Sequence, residues 1–352
     1  MAKESINLLL SLAQIGATVL AATLTGLLIY YKITDHDHET EQVAKAVQNK
    51  LKSHPRIKEI NMHSFNEYEL RVLDGLIVPE NIGTSFDEIG GLDHIIQELQ
   101  DSIFLPLKLN LFNNNLFTVP RGILLYGPPG TGKTSLAKAI ARESGYFFLS
   151  INDSLIESKF YGESQKLINA VFTVSEKLQP AIIFIDEIDA ITSSRDTMSS
   201  ELSNSKKSML LQLWDGLLES KIIIIGATNR AEVIDDAFLR RMPKKIKVEL
   251  PTTSGREQIL RILLKDNHSP DFDFELLAEK TNGLSGSDLR ELKNEAANYA
   301  LKNLLKFKTL SNEDVSNFKI HTSDMEAMLY RIKNKGFRPD NASILNSDVS
   351  ND

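Results

Sequence analysis

The sequence predicts an α/β fold, in which a parallel sheet is followed by a small helical domain and preceded by one membrane-spanning helix. Short apolar runs alternate with helical patterns between Gly122 and Leu250, as in a sheet covered by helices on both faces. After Pro251 only helical periodicity remains. No charged residue occurs from Ser5 to Tyr31, and about 20 apolar residues are enough to cross a bilayer.

The apolar N-terminal run predicts a transmembrane helix over residues 6–31. It is longer than the apolar region of a secretory signal, which has about 7–15 residues. An uncleaved signal and a buried core helix are the alternatives. Lys3 is the one basic residue before the run, whereas Lys32, Lys45, Lys50 and Lys52 follow it. Basic flanks stay in the cytosol, so residues 1–5 are expected outside the cytosol and the remainder inside.

Composition excludes several classes of function. The chain has 40 basic and 47 acidic residues and a net charge of −7, which argues against broad nucleic-acid binding because that needs a basic surface. It has no cysteine. A disulfide framework, a thiol nucleophile and a cysteine zinc site are therefore ruled out. No nucleic-acid partner is expected.

The chain is expected to divide at the points where these patterns change. Five strands are predicted, at Ile123–Tyr126, Phe147–Ile151, Ile182–Ile185, Ile222–Ile225 and Ile246–Leu250. Helices are predicted at Arg256–Leu264, Phe274–Lys280 and Ser287–Lys306, with Ser285 and Asp288 available as caps. The expected segments are a helical linker over 32–84, an α/β domain over 85–251, a helical domain over 252–335 and a disordered tail over 336–352.

The strongest local motif directly follows the first predicted strand and precedes a predicted helix, Ser135–Arg142. It reads Gly127-Pro128-Pro129-Gly130-Thr131-Gly132-Lys133-Thr134. Glycines let backbone N–H groups wrap phosphates, and the following helix N-terminus adds positive potential. In such a P-loop, Lys133 reaches the β- and γ-phosphates and Thr134 holds Mg²⁺.

Polar side chains also end two other predicted strands. Asp186 and Glu187 follow the strand Ile182–Ile185, and Asn229 follows the strand beginning at Ile222. Ligands of open α/β sheets bind beyond the carboxyl ends of the strands. Asp186 is thus a candidate for the magnesium shell and Glu187 for the general base that activates water. A solvated acidic strand end and an ordinary turn asparagine are the alternatives.

These motifs, with Gly283-Leu284-Ser285-Gly286-Ser287-Asp288-Leu289 and the pair Arg240-Arg241, resemble the AAA family of ring-forming ATPases from about Ser85 to Lys306. Without the resemblance, two adjacent arginines would be interpreted as ordinary surface charge. The resemblance implies ATP and Mg²⁺ as cofactors, a five-stranded parallel sheet with a helical lid, and a homo-hexamer. It also implies roles for further residues: a sensor at Asn229, fingers acting in trans at Arg240 and Arg241, and base contacts at Ile89, Gly90, Gly286 and Ser287.

A resemblance to the family's central-pore loop covers Lys159, Phe160, Tyr161 and Gly162. Aromatic side chains at that place grip an extended polypeptide. Relatives often have Trp where this chain has Phe160. The resemblance therefore does not determine the grip strength or the substrate preference of this loop. Taken alone, Phe160 and Tyr161 would instead be core residues. A second pore loop is expected near 194–205.

One anchor and one AAA module together resemble the mitochondrial sorting family of outer-membrane translocases, also found on peroxisomes. The resemblance implies a dislocase that pulls mislocalised tail-anchored proteins out of the bilayer, with its ATPase domain in the cytosol. A chaperone that assembles or disassembles membrane-associated complexes, of the respiratory or ESCRT type, is the alternative. A membrane AAA protease would need His-Glu-x-x-His, which the sequence lacks. The intact Lys133, Asp186 and Glu187 oppose a non-hydrolysing scaffold.

Overall fold

The computed structural model describes residues 64–108, 119–151, 163–192, 201–217, 220–305 and 318–334. The chain forms two compact units, Met1–Asp74 and Gly75–Asp352. The described part of the first unit contains helix α1, Glu67–Asp74. A reciprocal cap begins this helix: Asn66 Oδ1 accepts from the N–H of Glu69 at 3.0 Å, and Glu69 Oε2 accepts from the N–H of Asn66 at 2.8 Å.

Several predicted segments lie outside the described residues. They are the membrane span over 6–31, most of the linker over 32–84, the candidate pore loop Lys159–Gly162 and the tail over 336–352. Within the described ranges, no helix is long and apolar enough to cross a membrane. The anchor and the pore loop therefore stay predictions.

A six-stranded sheet forms the centre of the second unit. Its strands are β1 Leu76–Ile77, β2 Gly122–Tyr126, β3 Phe147–Ile151, β4 Ala181–Ile185, β5 Ile222–Thr228 and β6 Lys244–Lys247. Their order across the sheet is β1-β3-β4-β5-β2-β6. All pairs are parallel except β1 with β3, and the long crossovers between parallel strands carry helices.

Helices account for most of the other described residues. They are α2 Asp93–Leu99, continued by a π-helical turn Gln100–Phe104, α3 Leu105–Lys108, α4 Lys133–Ser144, α5 Glu163–Leu178, α6 Ile188–Thr192, α7 Glu201–Gly216, α8 Asp236–Arg241, α9 Thr253–Leu264, α10 Phe274–Lys280, α11 Gly286–Leu305 and α12 Thr322–Asn334. Because α7 begins at Glu201, the last residues of the expected second pore loop are helical.

The prediction of a five-stranded, all-parallel sheet is wrong by one strand. The five predicted strands are present and parallel, but β1 adds a two-residue antiparallel edge, with Leu76 opposite Leu149. Two residues are too few to show the alternation by which strands are recognised. The last strand is Lys244–Lys247 instead of Ile246–Leu250. The hydrophobic pattern did not predict the start of this strand, because the residues there are lysines. An edge strand tolerates charged side chains because one side of it faces solvent.

The helical region after Pro251 agrees with its pattern. Helix α10 has the predicted bounds, and α9 and α11 differ from theirs by a few residues at their ends. Ser285 and Asp288 form the expected cap, in which Asp288 Oδ2 accepts from the Ser285 N–H and hydroxyl, both at 2.7 Å. Leu260, Leu277 and Leu292 are fully buried in this domain's own core.

The sheet core is apolar on both faces. Strands β4 and β5 are buried along their whole length, as the continuous isoleucine runs require in a covered parallel sheet. Phe148 on β3 and Phe184 on β4 stack with ring centroids 5.6 Å apart, and both are fully buried. This packing holds β4, the strand that Asp186 directly follows.

Phe148→Ala should lower the free energy of unfolding by about 3–5 kcal/mol, because truncation of a buried aromatic ring leaves a cavity. Urea unfolding of the full chain in detergent, followed by the fluorescence of its single tryptophan, measures this. Leu105→Ala removes a side chain that is 55% exposed and should change stability by less than about 0.5 kcal/mol. Equal effects of the two variants would contradict the assigned core.

Candidate functional site

The P-loop lies between β2 and α4 at the carboxyl edge of the sheet. Gly127, Gly130 and Gly132 have φ angles of 145°, 73° and 98°, in the region that favours glycine. A Cβ on Gly127 would lie 2.1 Å from the carbonyl oxygen of Val248. The loop therefore needs its glycines both for its curvature and for its approach to the end of β6.

The Lys133 ammonium group lies inside the curve of the loop. Nζ donates to the carbonyl oxygens of Gly127 and Pro128 at 2.9 and 2.7 Å, and the residue is 8% exposed. Burial lowers the pKa of Lys133, while the charge of Asp186 partly opposes this shift. A phosphate would give this buried cation a stronger acceptor than carbonyl oxygens.

Thr134 and Asp186 meet across the cleft. The Thr134 hydroxyl donates to Asp186 Oδ2 at 3.1 Å, although 52 residues separate them. Hydroxyl and carboxylate oxygens are the ligands that Mg²⁺ prefers. The donor set thus fits the magnesium ion expected from the sequence, and Thr134 and Asp186 are the residues that would hold it.

Glu187 and Asn229 lie at the mouth of the same cleft, and both are exposed. Glu187 has φ 47°, a left-handed conformation that costs a non-glycine residue about 1–3 kcal/mol and persists only where neighbours impose it. The cleft has a volume of about 250 Å³ and is lined by Pro129, Gly130, Gly132, Lys133, Thr134, Ser135, Asp186, Glu187, Thr228, Asn229 and Ser287. The structure thus brings the separate sequence motifs together.

A second cavity, of about 120 Å³, adjoins the P-loop. It contains Ile89, Gly90, Gly286 and Ser287, the four residues expected near the base. The Ser287 N–H donates to the carbonyl oxygen of Gly130 at 3.1 Å, so helix α11 contacts the P-loop directly. The cavity lies between the α/β domain and the lid.

Sequence reasoning missed much of the lining of this second cavity. Ile259, Ile262 and Leu263 on α9 line it, with Glu88 and Arg290 also present. The three apolar residues follow helical spacing, but the neighbouring Leu260 and Leu264 form the lid core. A single helix with apolar residues on both faces does not reveal which face binds a ligand.

The two candidate finger arginines lie elsewhere. Arg240 and Arg241 end helix α8 and line a cavity with Trp214, outside the lining of the nucleotide cleft. Arg241 donates to both carboxylate oxygens of Asp215, at 2.7 and 2.6 Å. These hydrogen bonds lower the pKa of Asp215 and raise that of Arg241. Arg240 is exposed. A role in trans stays a prediction.

Comparison with known proteins agrees with this geometry. Residues 123–250 match the model of the AAA family, "ATPase family associated with various cellular activities", and residues 271–317 match the AAA+ lid domain. The chain is 42% identical over 267 residues to an outer mitochondrial transmembrane helix translocase of Danio rerio, covering 74% of this chain and 70% of that protein.

Two other relatives extend the comparison. The Homo sapiens protein with the same name is 38% identical over 307 residues, 84% of each chain. The mitochondrial sorting homolog of Caenorhabditis elegans is 44% identical over 231 residues, 64% of this chain and 68% of that protein. With the P-loop, the acidic strand end and the lid in place, the chain belongs to the AAA family and is an ATPase.

Proposed function

We propose that this ATPase is a translocase of the mitochondrial outer membrane, which extracts mislocalised tail-anchored proteins. The observation that supports it best is the alignment with the human translocase over 84% of each chain, which is longer than the ATPase and lid matches together. Residues 6–31 anchor the protein in the bilayer, with the ATPase domain in the cytosol. A peroxisomal location is part of the same proposal.

In the proposed chemistry, water attacks the γ-phosphorus of ATP, and ADP and phosphate leave. Glu187 at the cleft mouth accepts the proton of that water. Lys133 holds the β- and γ-phosphates, and Asn229 orients the water or the γ-phosphate. Thr134 and Asp186 would hold Mg²⁺, which would supply positive charge beside the phosphates.

The mechanical step is proposed to occur in a homo-hexamer. Lys159, Phe160, Tyr161 and Gly162 would line its central pore and grip the backbone of the substrate. Arg240 and Arg241 would act on the nucleotide of the neighbouring subunit. Their position outside the cleft of their own chain is consistent with this, because a finger in trans must face outwards.

Lys133→Ala should weaken ATP binding by about 10- to 150-fold, since one charge-assisted hydrogen-bond donor is worth about 1.5–3 kcal/mol. Isothermal titration of the full chain with Mg-ATP measures the dissociation constant. Lys138→Ala, one turn further along α4, is the matched control and should bind as the unmodified chain does. Unchanged affinity in Lys133→Ala would remove the proposed role of Lys133.

Glu187→Gln should retain Mg-ATP and lose hydrolysis, because the amide cannot accept the proton of water. Affinity purification of this variant from cells, followed by mass spectrometry, should recover trapped substrates. Glu187→Gln combined with Lys133→Ala is the control, since a protein whose affinity for ATP is lowered should trap less substrate.

The identity of the trapped proteins decides between the two candidate functions. Single-span proteins with C-terminal anchors support extraction. Subunits of one membrane-associated complex would favour the assembly or disassembly chaperone. Recovery of soluble proteins only would contradict both.

Arg240→Ala and Lys133→Ala should each be inactive alone and partly active when mixed. In mixed rings, some interfaces pair an intact Lys133 with an intact Arg240 of the next subunit. Steady-state ATPase assays across mixing ratios measure this. Mixtures that stay inactive, or a monomeric Arg240→Ala chain with full activity, would contradict action in trans.

A further inference from the structure

Asp189 is a buried carboxylate that lies behind the nucleotide cleft. It is in the first turn of α6, three residues after Asp186, and is 5% exposed. Its Oδ1 accepts from the Thr228 hydroxyl at 2.7 Å. Its Oδ2 accepts from Nε and Nη2 of Arg230 at 3.0 and 2.7 Å. Asp189 does not belong to the cleft lining, so contact with phosphate does not explain its burial.

The partners of Asp189 flank Asn229 on both sides. Thr228 is the last residue of β5, and Arg230 follows Asn229 directly. The Arg230 N–H also donates to the Thr228 hydroxyl at 2.9 Å. The side chains on either side of Asn229 are therefore both bound to one carboxylate, which limits the positions that Asn229 can take.

Glu187 directly precedes α6, the helix that contains Asp189. The Ala190 N–H donates to the carbonyl oxygen of Glu187 at 2.8 Å. Ile188 packs so closely on β5 that a Cβ on Gly226 would lie 2.8 Å from its Cδ1. At the other end of α6, the Thr192 carbonyl oxygen accepts from the Asp235 N–H at 3.1 Å. Fixing α6 against β5 thus fixes Glu187 relative to Asn229.

The pairing is suited to orientation more than to stability. The Arg230 side chain is 66% exposed, and an ion pair with a hydrated partner contributes little to stability. Two hydrogen bonds from one guanidinium to Asp189 Oδ2, with the Thr228 hydroxyl on Oδ1, nevertheless restrict the geometry of the three side chains. Catalytic groups must be held in one position, because a displacement of about 1 Å can slow a reaction about 100-fold.

We propose that Asp189 and Arg230 are positioning residues for ATP hydrolysis. Their ion pair, with Thr228, clamps the end of β5 to α6 and so sets the distance between Asn229 and Glu187. The inference rests on the roles proposed above for those two residues. It adds two residues that touch neither nucleotide nor metal and act on the chemical step alone.

Arg230→Met tests the clamp, because it removes the guanidinium and keeps an apolar stem at an exposed position. The turnover number of the full chain should fall about 10- to 100-fold, while the dissociation constant for Mg-ATP, the melting temperature and the assembly state stay unchanged. Asp189→Asn keeps one acceptor for Thr228 and should have a similar effect. Glu67→Gln breaks an Arg–carboxylate pair of 2.7 Å on α1 and should leave turnover unchanged.

A double-mutant cycle with Asn229→Ala separates positioning from a general structural role. If Arg230 acts through Asn229, Arg230→Met should cost little further turnover in the Asn229→Ala background, because groups that act as a unit are not additive. Additive losses would overturn the proposal. So would a fall in melting temperature, nucleotide affinity or assembly that accounts for the lost turnover.

The cycle also distinguishes failure of the clamp from failure of the proposed function. If Asn229→Ala slows turnover and both clamp variants leave it unchanged, the positioning role is refuted while the role of Asn229 stands. If Asn229→Ala itself leaves turnover unchanged, the assignment of Asn229 fails and the clamp proposal fails with it.

Discussion

The parallel pairing of β5 with both β2 and β4 is the constraint on which the nucleotide site depends. Tyr126 lies opposite Thr228, and Ile185 lies opposite Gly226. The P-loop and Asp186 therefore leave the sheet at the same edge, within hydrogen-bonding reach of each other. Because side chains alternate between the faces of a strand, a slip of one residue in either pair would turn the wrong side chains to the cleft.

A second constraint joins the lid to the P-loop. A Cβ on Gly90 would lie 2.8 Å from the Ile259 nitrogen, one on Gly91 would lie 2.9 Å from Gly255 Cα, and one on Gly130 would lie 2.5 Å from Ser285 Oγ. The two domains thus touch through positions without side chains, and residues of both line the second cavity. A base bound in that cavity would contact both domains, and a change in the angle of the lid would alter the cavity.

Local signals explain which features the sequence predicted. The isoleucine runs of β4 and β5 predict buried strands without any knowledge of tertiary contacts. The glycines before Lys133 predict the P-loop in the same way. Other features depend on tertiary contacts. The β1 strand exists only by pairing with β3, and Ile262 lines the second cavity only because α9 lies beside the P-loop. Asp189 showed no motif of its own, since its role comes from Arg230, which is 41 residues away.

Charge at the cleft connects the single chain to the proposed ring. Among the described residues that line the cleft, Lys133 is the one cation, opposite Asp186 and Glu187. Phosphoryl transfer spreads negative charge over the γ-phosphate oxygens, and stabilisation of that charge is a large part of catalysis. Arg241 cannot supply it within its own chain while it is held by Asp215. One chain alone is therefore better equipped to bind ATP than to hydrolyse it, and a cation from a neighbouring chain would make hydrolysis depend on assembly.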